Sequence, residues 1–264
     1  MPDTSLFYPG SVDSHCHPEH MAQKDLRVAP LVDEAEHAGM RAIIDVGVDP
    51  GDLAGRQAVL GNSSIVHFTS GLHPTSVQRE DFQELLDLLA RQVGTEDLVA
   101  VGELGLDYHW HQETRERQHQ ALTFQFQLAR DAGLPVIIHN RESEQDMLRM
   151  LREHAPTGVM HCFSQDSDYC RACLDLGMHI SFGGNVTYKN AEAIRRAAII
   201  VPDDRLLVET DAPYLSPVPV RGRANHPGHL GFTIRYLAGL RDTTPEHIAR
   251  VSGENAIRLF GLGN

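Results

Sequence analysis

Lysine is nearly absent from this chain: Lys24 and Lys189 are the only two among 264 residues, and Lys plus Arg total 23 against 36 Asp plus Glu. The net charge of -13 gives an acidic surface that repels nucleic acid unless a local positive patch or bound cations override it, which excludes general coating of a duplex. Cysteine is scarce as well. Cys16, Cys162, Cys170 and Cys173 make no disulfide-rich framework. The opening MPDTSLFYPG has neither a basic region nor an apolar run, so the expected setting is a reducing cytoplasm with no membrane span. Linkers, low-complexity tracts and charge blocks are missing too. With 41% apolar and 22% charged residues, collagen-like, coiled-coil and disordered classes are excluded.

What the chain does have is histidine, 16 in all, several beside Asp or Glu in apolar runs, and neutral imidazole is the commonest metal ligand. It also has a regular alternation. Short apolar runs at about 11–16, 41–47, 65–71, 98–103, 134–139, 157–161, 178–182 and 205–209 read as strands. Stretches of helical periodicity lie between them, such as 81–93, 115–132, 143–153 and 191–200, and two more follow at about 233–239 and 245–260. Eight βα units predict an α/β protein, a (β/α)8 TIM barrel; such barrels run to about 250 residues as one unit, so 1–264 reads as a single domain. The stretch 212–232, rich in Pro and Gly, is the longest without periodicity, and a loop that long in a compact domain is usually functional.

The candidate chemistry sits at the strand ends. In Asp13-Ser14-His15-Cys16-His17 the two His are two apart, so alternation puts both on one face and Ser14 and Cys16 on the other. Glu103, His139, His161 and Asp211 close four other runs. One His after an apolar run is ordinarily structural, but catalytic groups of barrel enzymes come from the C-terminal ends of several strands, and here five of the eight runs supply one. Four imidazoles and two carboxylates suit borderline divalent cations such as Zn or Mn, and six ligands exceed one tetrahedral zinc that keeps an open position. Two divalent metal ions (Zn, Mn or Mg) are therefore expected, with Glu103 as bridge because a carboxylate can span two cations where an imidazole cannot. Asp211 would face the attacking water.

The ordered motifs DSHCH (13–17), GLHP (71–74), GELGLDY (102–108), HNR (139–141), HCFS (161–164), ETDAPYL (209–215) and RGRANHP (221–227) resemble those of the TatD family of metal-dependent deoxyribonucleases over nearly the whole chain. The resemblance implies a TIM barrel of the amidohydrolase kind, a two-metal site and hydrolysis of DNA phosphodiesters. It further implies that His15 and His17 hold one metal, His139 and His161 the other, that Glu103 bridges, and that Asp211 binds and acts as base. The pattern departs at His226, where the family has Glu, at Gln165, where it has Gly, and at Pro18-Glu19, where it has Leu-Asp. No ligand position is lost, and all three departures are expected beside the mouth.

Substrate contacts are read from charge. From 212 to 241 there is no Asp or Glu but four Arg: Arg221, Arg223, Arg235 and Arg241. Arg forks grip phosphate bidentately, so Arg221 and Arg223 are expected phosphate clamps unless they form surface ion pairs, joined by Arg141, His73 and Lys189. Phe163 and Tyr214 flank ligand positions and are read either as base-stacking or as core. Cys170 and Cys173, three residues apart without a second pair, read as structural, and Gly183-Gly184 as a turn. Asp13 and Asp107 are candidates to orient imidazoles.

The expected function is a metal-dependent hydrolase cleaving DNA, most simply at ends or single strands, with DNA as the one partner. An amide, ester or lactone hydrolase on the same barrel is the alternative, separated only by the Arg patch. A non-catalytic metal-binding scaffold predicts a broken ligand set.

Overall fold

The computed structural model describes residues 5–60, 62–110 and 112–263. Eight parallel strands lie in sequential order: β1 (Val12–Cys16), β2 (Ala42–Asp45), β3 (Val66–Ser70), β4 (Leu98–Asp107), β5 (Val136–Arg141), β6 (Gly158–Met160), β7 (His179–Phe182) and β8 (Leu206–Val208). A parallel bridge between Cys16 and Ala212 brings the end of β1 against the segment after β8, so the sheet nearly closes into the expected (β/α)8 barrel.

Helices cover the outside: α1 (Pro18–Ala22), α2 (Val28–His37), α3 (Leu53–Leu60), α4 (Phe82–Thr95), α5 (Arg115–Ala132), α6 (Glu144–His154), α7 (Ser167–Asp175), α8 (Glu192–Ile200), α9 (Leu230–Leu240) and α10 (Pro245–Leu259). Their inward stripes follow helical spacing. In α4 the buried residues are Phe82, Leu85, Leu86 and Leu89, at i, i+3, i+4 and i+7. The strands alternate between two apolar layers. Ile43, Ile138 and Ile180 join the core under the helices, whereas Val12, Ile44, Ile137, Val159 and Leu207 pack together with Ala256, Phe260 and Leu262 from the C-terminal segment. That segment plugs the end where the strands begin, which leaves the opposite end for chemistry.

Several features differ from the sequence expectation. β4 and β5 run on to Asp107 and Arg141, because the two strands stay paired through Asp107 and Arg141. β8 stops at Val208, so Asp211 lies beyond the strand at a positive φ of 55°, a conformation Asp tolerates better than most residues. α9 starts at Leu230, after a 3-10 turn at Pro227–His229, which shortens the expected loop. In β1 the register with β2 shifts between Asp13 and Cys16. Ser14 consequently bonds the Ser181 hydroxyl at 3.0 Å and the Val208 carbonyl at 3.0 Å, while Cys16 packs on Met21, so these two do not share a face.

Candidate metal centre and active site

Irregularities in two strands aim the central groups. β4 shifts register between Val101 and Leu104 against β5, and such bulges re-aim a side chain at the rim of a barrel. Glu103 is pinned there by its backbone N–H, which donates to Gly47 O at 2.7 Å. Gly105 follows because β4 and β5 approach so closely that a Cβ would sit 1.9 Å from His139 O. The segment after β8 is tied to β1: Asp211 N donates to His15 O at 2.9 Å and His17 N to Ala212 O at 2.8 Å. Asp13 reinforces this tie, accepting from Thr210 N at 2.8 Å and the Thr210 hydroxyl at 2.6 Å. It therefore braces the loop and holds no imidazole. Asn225 pins the loop from its far end, donating to Thr210 O and Tyr214 O.

The outcome is a cluster in which one carboxylate faces two ways. Glu103 Oε2 lies 3.5 Å from His15 Nε2 and 3.8 Å from His17 Nε2. Its Oε1 lies 2.8 Å from His161 Nε2, 3.0 Å from His139 Nδ1 and 3.5 Å from His73 Nε2. Asp211 Oδ1 stands 3.4 Å from His17 Nε2 and 3.8 Å from His15 Nε2. The rings are steered from behind by Val46 O on His17 Nδ1 at 2.9 Å, Asp107 on His139 Nε2 at 3.1 Å and Glu209 on His161 Nδ1 at 3.3 Å.

Electrostatics follow from this crowding. Burial alone would raise the Glu103 carboxyl, yet the neighbouring His161 and His73 and the hydrogen bonds from His139 and His15 hold it well below the usual carboxylate range. Burial likewise opposes ionisation of Asp211, but the hydrogen bond from His17 and the surrounding imidazoles bring it below its ordinary value. For His161 burial disfavours the charged form, and Glu103 and Glu209 outweigh it and push the ring well above its ordinary value. His15 moves the other way, lowered by its burial and by His161.

Three overlapping groups among the described residues converge closely enough to hold a metal ion: His15, His17 and Glu103; His15, His161 and Asp211; and His73, Glu103 and His139. Ring nitrogens of His15 and His17 only 3.0 Å apart, with carboxylate oxygens beside them, form a nitrogen and oxygen donor set that fits borderline divalent cations. The cluster floors an open cavity of about 550 Å³.

The profile of the family described as TatD related DNase matches residues 12–261. The chain belongs to the TatD family. It is 40% identical over 257 residues to the uncharacterized metal-dependent hydrolase YcfH of Escherichia coli K12, covering 95% of this chain and 96% of that protein. It is 34% identical over 256 residues to the uncharacterized metal-dependent hydrolase YabD of Bacillus subtilis, covering 95% and 98%. The crystal structure of YjjV, a TatD homolog from E. coli K12, superposes with a TM-score of 0.87 at 29% identity, covering 96% of this chain and 99% of that one. Membership places the chain among metal-dependent hydrolases.

Against this TatD-family frame, the residues singled out in the sequence divide. His15, His17, Glu103, His139, His161 and Asp211 come together. His73, expected at a phosphate, sits in the cluster itself, and Arg141 lines the cavity. Arg221, Arg223 and Lys189 are exposed and are not among the cavity-lining residues; the Arg221 guanidinium carbon instead lies 4.2 Å from the Tyr188 ring centre. Arg241 caps α8, donating to Ala198 O and Val201 O while pairing with Asp203, so it is structural. The loop after β8 folds back on its own backbone, with Val220 N donating to Pro217 O, Arg223 N to Val220 O and the Ser216 hydroxyl to Arg223 O, and Arg221 and Arg223 go with it.

Phe163 is core, packed on Tyr169 and Phe182, and Tyr214 is 43% exposed at the cavity wall. Cys170 and Cys173 are buried, and burial raises both thiols to about 12. At Gly184 a Cβ would lie 2.1 Å from Leu215 O, so close backbone approach explains that glycine. Of the three departures from the family pattern, His226 is not at the mouth: it is buried on His229, with ring centres 3.7 Å apart. Gln165 bonds Asn140 O, and Pro18 opens α1.

Sequence reasoning passed over Glu209. It is fully buried and touches His161. The available signal was an acidic residue directly after the buried β8. No helix among the described residues is long and apolar enough to cross a membrane.

Proposed function

We propose that this TatD-family hydrolase cleaves phosphodiester bonds of DNA at ends or in single strands, that residues 1–264 act as one catalytic unit, and that two divalent ions (Zn, Mn or Mg) serve it. The observation that carries the reading is Glu103, whose two oxygens address separate histidine groups on the floor of a cavity with a guanidinium on its wall. His15 and His17 would hold one ion, His139 and His161 the other, and Glu103 would bridge them. The bound ions would supply Lewis acidity and charge neutralisation. Asp211, beside His15 and His17 and open to the cavity, takes the proton from the attacking water. Arg141 orients the phosphate. A cavity closed at its floor seats a terminal or unpaired nucleotide more readily than a continuous duplex.

One observation favours a second reading. Arg141 is the one Arg or Lys among the residues lining the cavity, so the expected Arg patch does not reach the floor and an amide, ester or lactone remains chemically suited. Hydrolysis of end-labelled single-stranded DNA with Mg, Mn or Zn added, and its loss with EDTA, tests the first reading; activity confined to neutral esters or lactones would replace it with the second.

A further inference from the structure

Trp110 is the only tryptophan of the chain, and it stands 61% exposed in the turn after β4, on the catalytic face of the barrel. An exposed indole presents a flat π-face on which a nucleic-acid base can stack. Its placement is built. Asp107 Oδ1 accepts the backbone N–H of His109 at 2.9 Å and of Trp110 at 3.2 Å, and Oδ2 of the same carboxylate holds His139. His109 meets the indole edge-on with ring centres 4.7 Å apart, and its Nδ1 lies 2.6 Å from Glu142 Oε1. Tyr108 N donates to Arg141 O at 2.9 Å. These contacts clasp the turn after β4 to the end of β5 and set the Arg141 guanidinium carbon 5.4 Å from the indole centre.

We propose that Trp110 and Arg141 form a stacking subsite for the nucleotide adjoining the scissile phosphate, its base on the exposed indole and its phosphate on the guanidinium. The inference rests on the phosphodiesterase reading above. Every base has a π-face, so such a platform tolerates sequence, and the guanidinium adds a forked phosphate contact. Beyond Arg141 the surface changes sign: the adjoining cleft shares Arg141 and Ser164 with the cavity but carries Glu142, Glu144 and Asp166. Those carboxylates repel a further phosphate, so the subsite holds one nucleotide and favours a strand end.

Because Trp110 is the sole indole, its fluorescence reports the subsite directly. Titration with a short phosphorothioate single-stranded oligodeoxynucleotide should quench it saturably, and Trp110→Ala should raise KM for single-stranded DNA by roughly 5- to 100-fold, far more than it lowers kcat. Trp110→Phe should recover most of that loss. A substrate with an abasic residue beside the scissile bond should be nearly indifferent to Trp110→Ala. Normal DNA cleavage by Trp110→Ala, or an equal KM penalty on abasic and intact strands, overturns the subsite and leaves the phosphodiesterase reading standing. A wild-type protein that neither cleaves DNA nor shows quenching overturns both.

Discussion

Asp107 accepts from His139 Nε2 at 3.1 Å, and this leaves Nδ1 of the same ring facing Glu103 Oε1 at 3.0 Å. His139 thus presents the opposite nitrogen from His15, His17 and His161, whose Nε2 atoms turn to the cluster. Burial would raise the Asp107 carboxyl, but His139 and the backbone N–H groups of the following turn bring it below its ordinary value, so it acts as a fixed acceptor. Asp107→Ala frees the ring to rotate. Competition with a chelator should show metal affinity about 10- to 100-fold weaker; unchanged affinity would remove Asp107 from the site.

Glu103→Ala removes the carboxylate whose two oxygens face the two histidine groups. Elemental analysis of the purified variant should find neither ion retained. Full occupancy of one position with normal turnover would mean that the bridge lies elsewhere.

Asp211→Asn keeps the shape and the backbone ties to β1 but cannot take a proton. The variant should fold normally by circular dichroism while kcat falls by about 10²- to 10⁴-fold, as expected for loss of a general base. Near wild-type turnover at full metal content would pass the role to another group, with His73, 3.5 Å from Glu103 Oε1, the next candidate.

His179 supplies a pH test away from the site. Burial, and then the charge of Arg205, lower its pKa from 6.5 to about 4. The unfolded chain takes up this proton as pH falls through 6.5, and the native chain does so only near 4, so the neutral ring's stabilising contribution is present above 6.5 and is lost between 6.5 and 4. His179→Gln has nothing to titrate there. Its Tm should fall less than the wild-type Tm between pH 7 and pH 5; parallel declines would show that His179 titrates alike in both states.

Much of this protein was legible along the chain because its signals are local. β-periodic runs and amphipathic stripes reflect burial on one face or two, so eight strands and the helices between them could be counted from 11 to 260. The histidines and carboxylates at the ends of those runs were legible for the same reason: a strand end in a barrel has one destination, the mouth. His15, His17, Glu103, His139, His161 and Asp211 needed no knowledge of distances, only of where strands stop.

What the tertiary structure decided was relational. Alternation alone could not foresee the shifted register in β1 that separates Ser14 from Cys16, nor the irregularity at β4 that aims one Glu103 oxygen at each histidine group. Charge counting placed Arg221, Arg223 and Lys189 at the substrate, but the loop after β8 folds back through Asn225 and leaves both Arg outside the cavity lining, and Lys189, in the segment after β7, lies outside it too. Glu209 and Trp110 were silent in the sequence for one physical reason. Each lies against a partner distant along the chain, His161 for one and Arg141 for the other, and only the assembly of the strands side by side brings those pairs together.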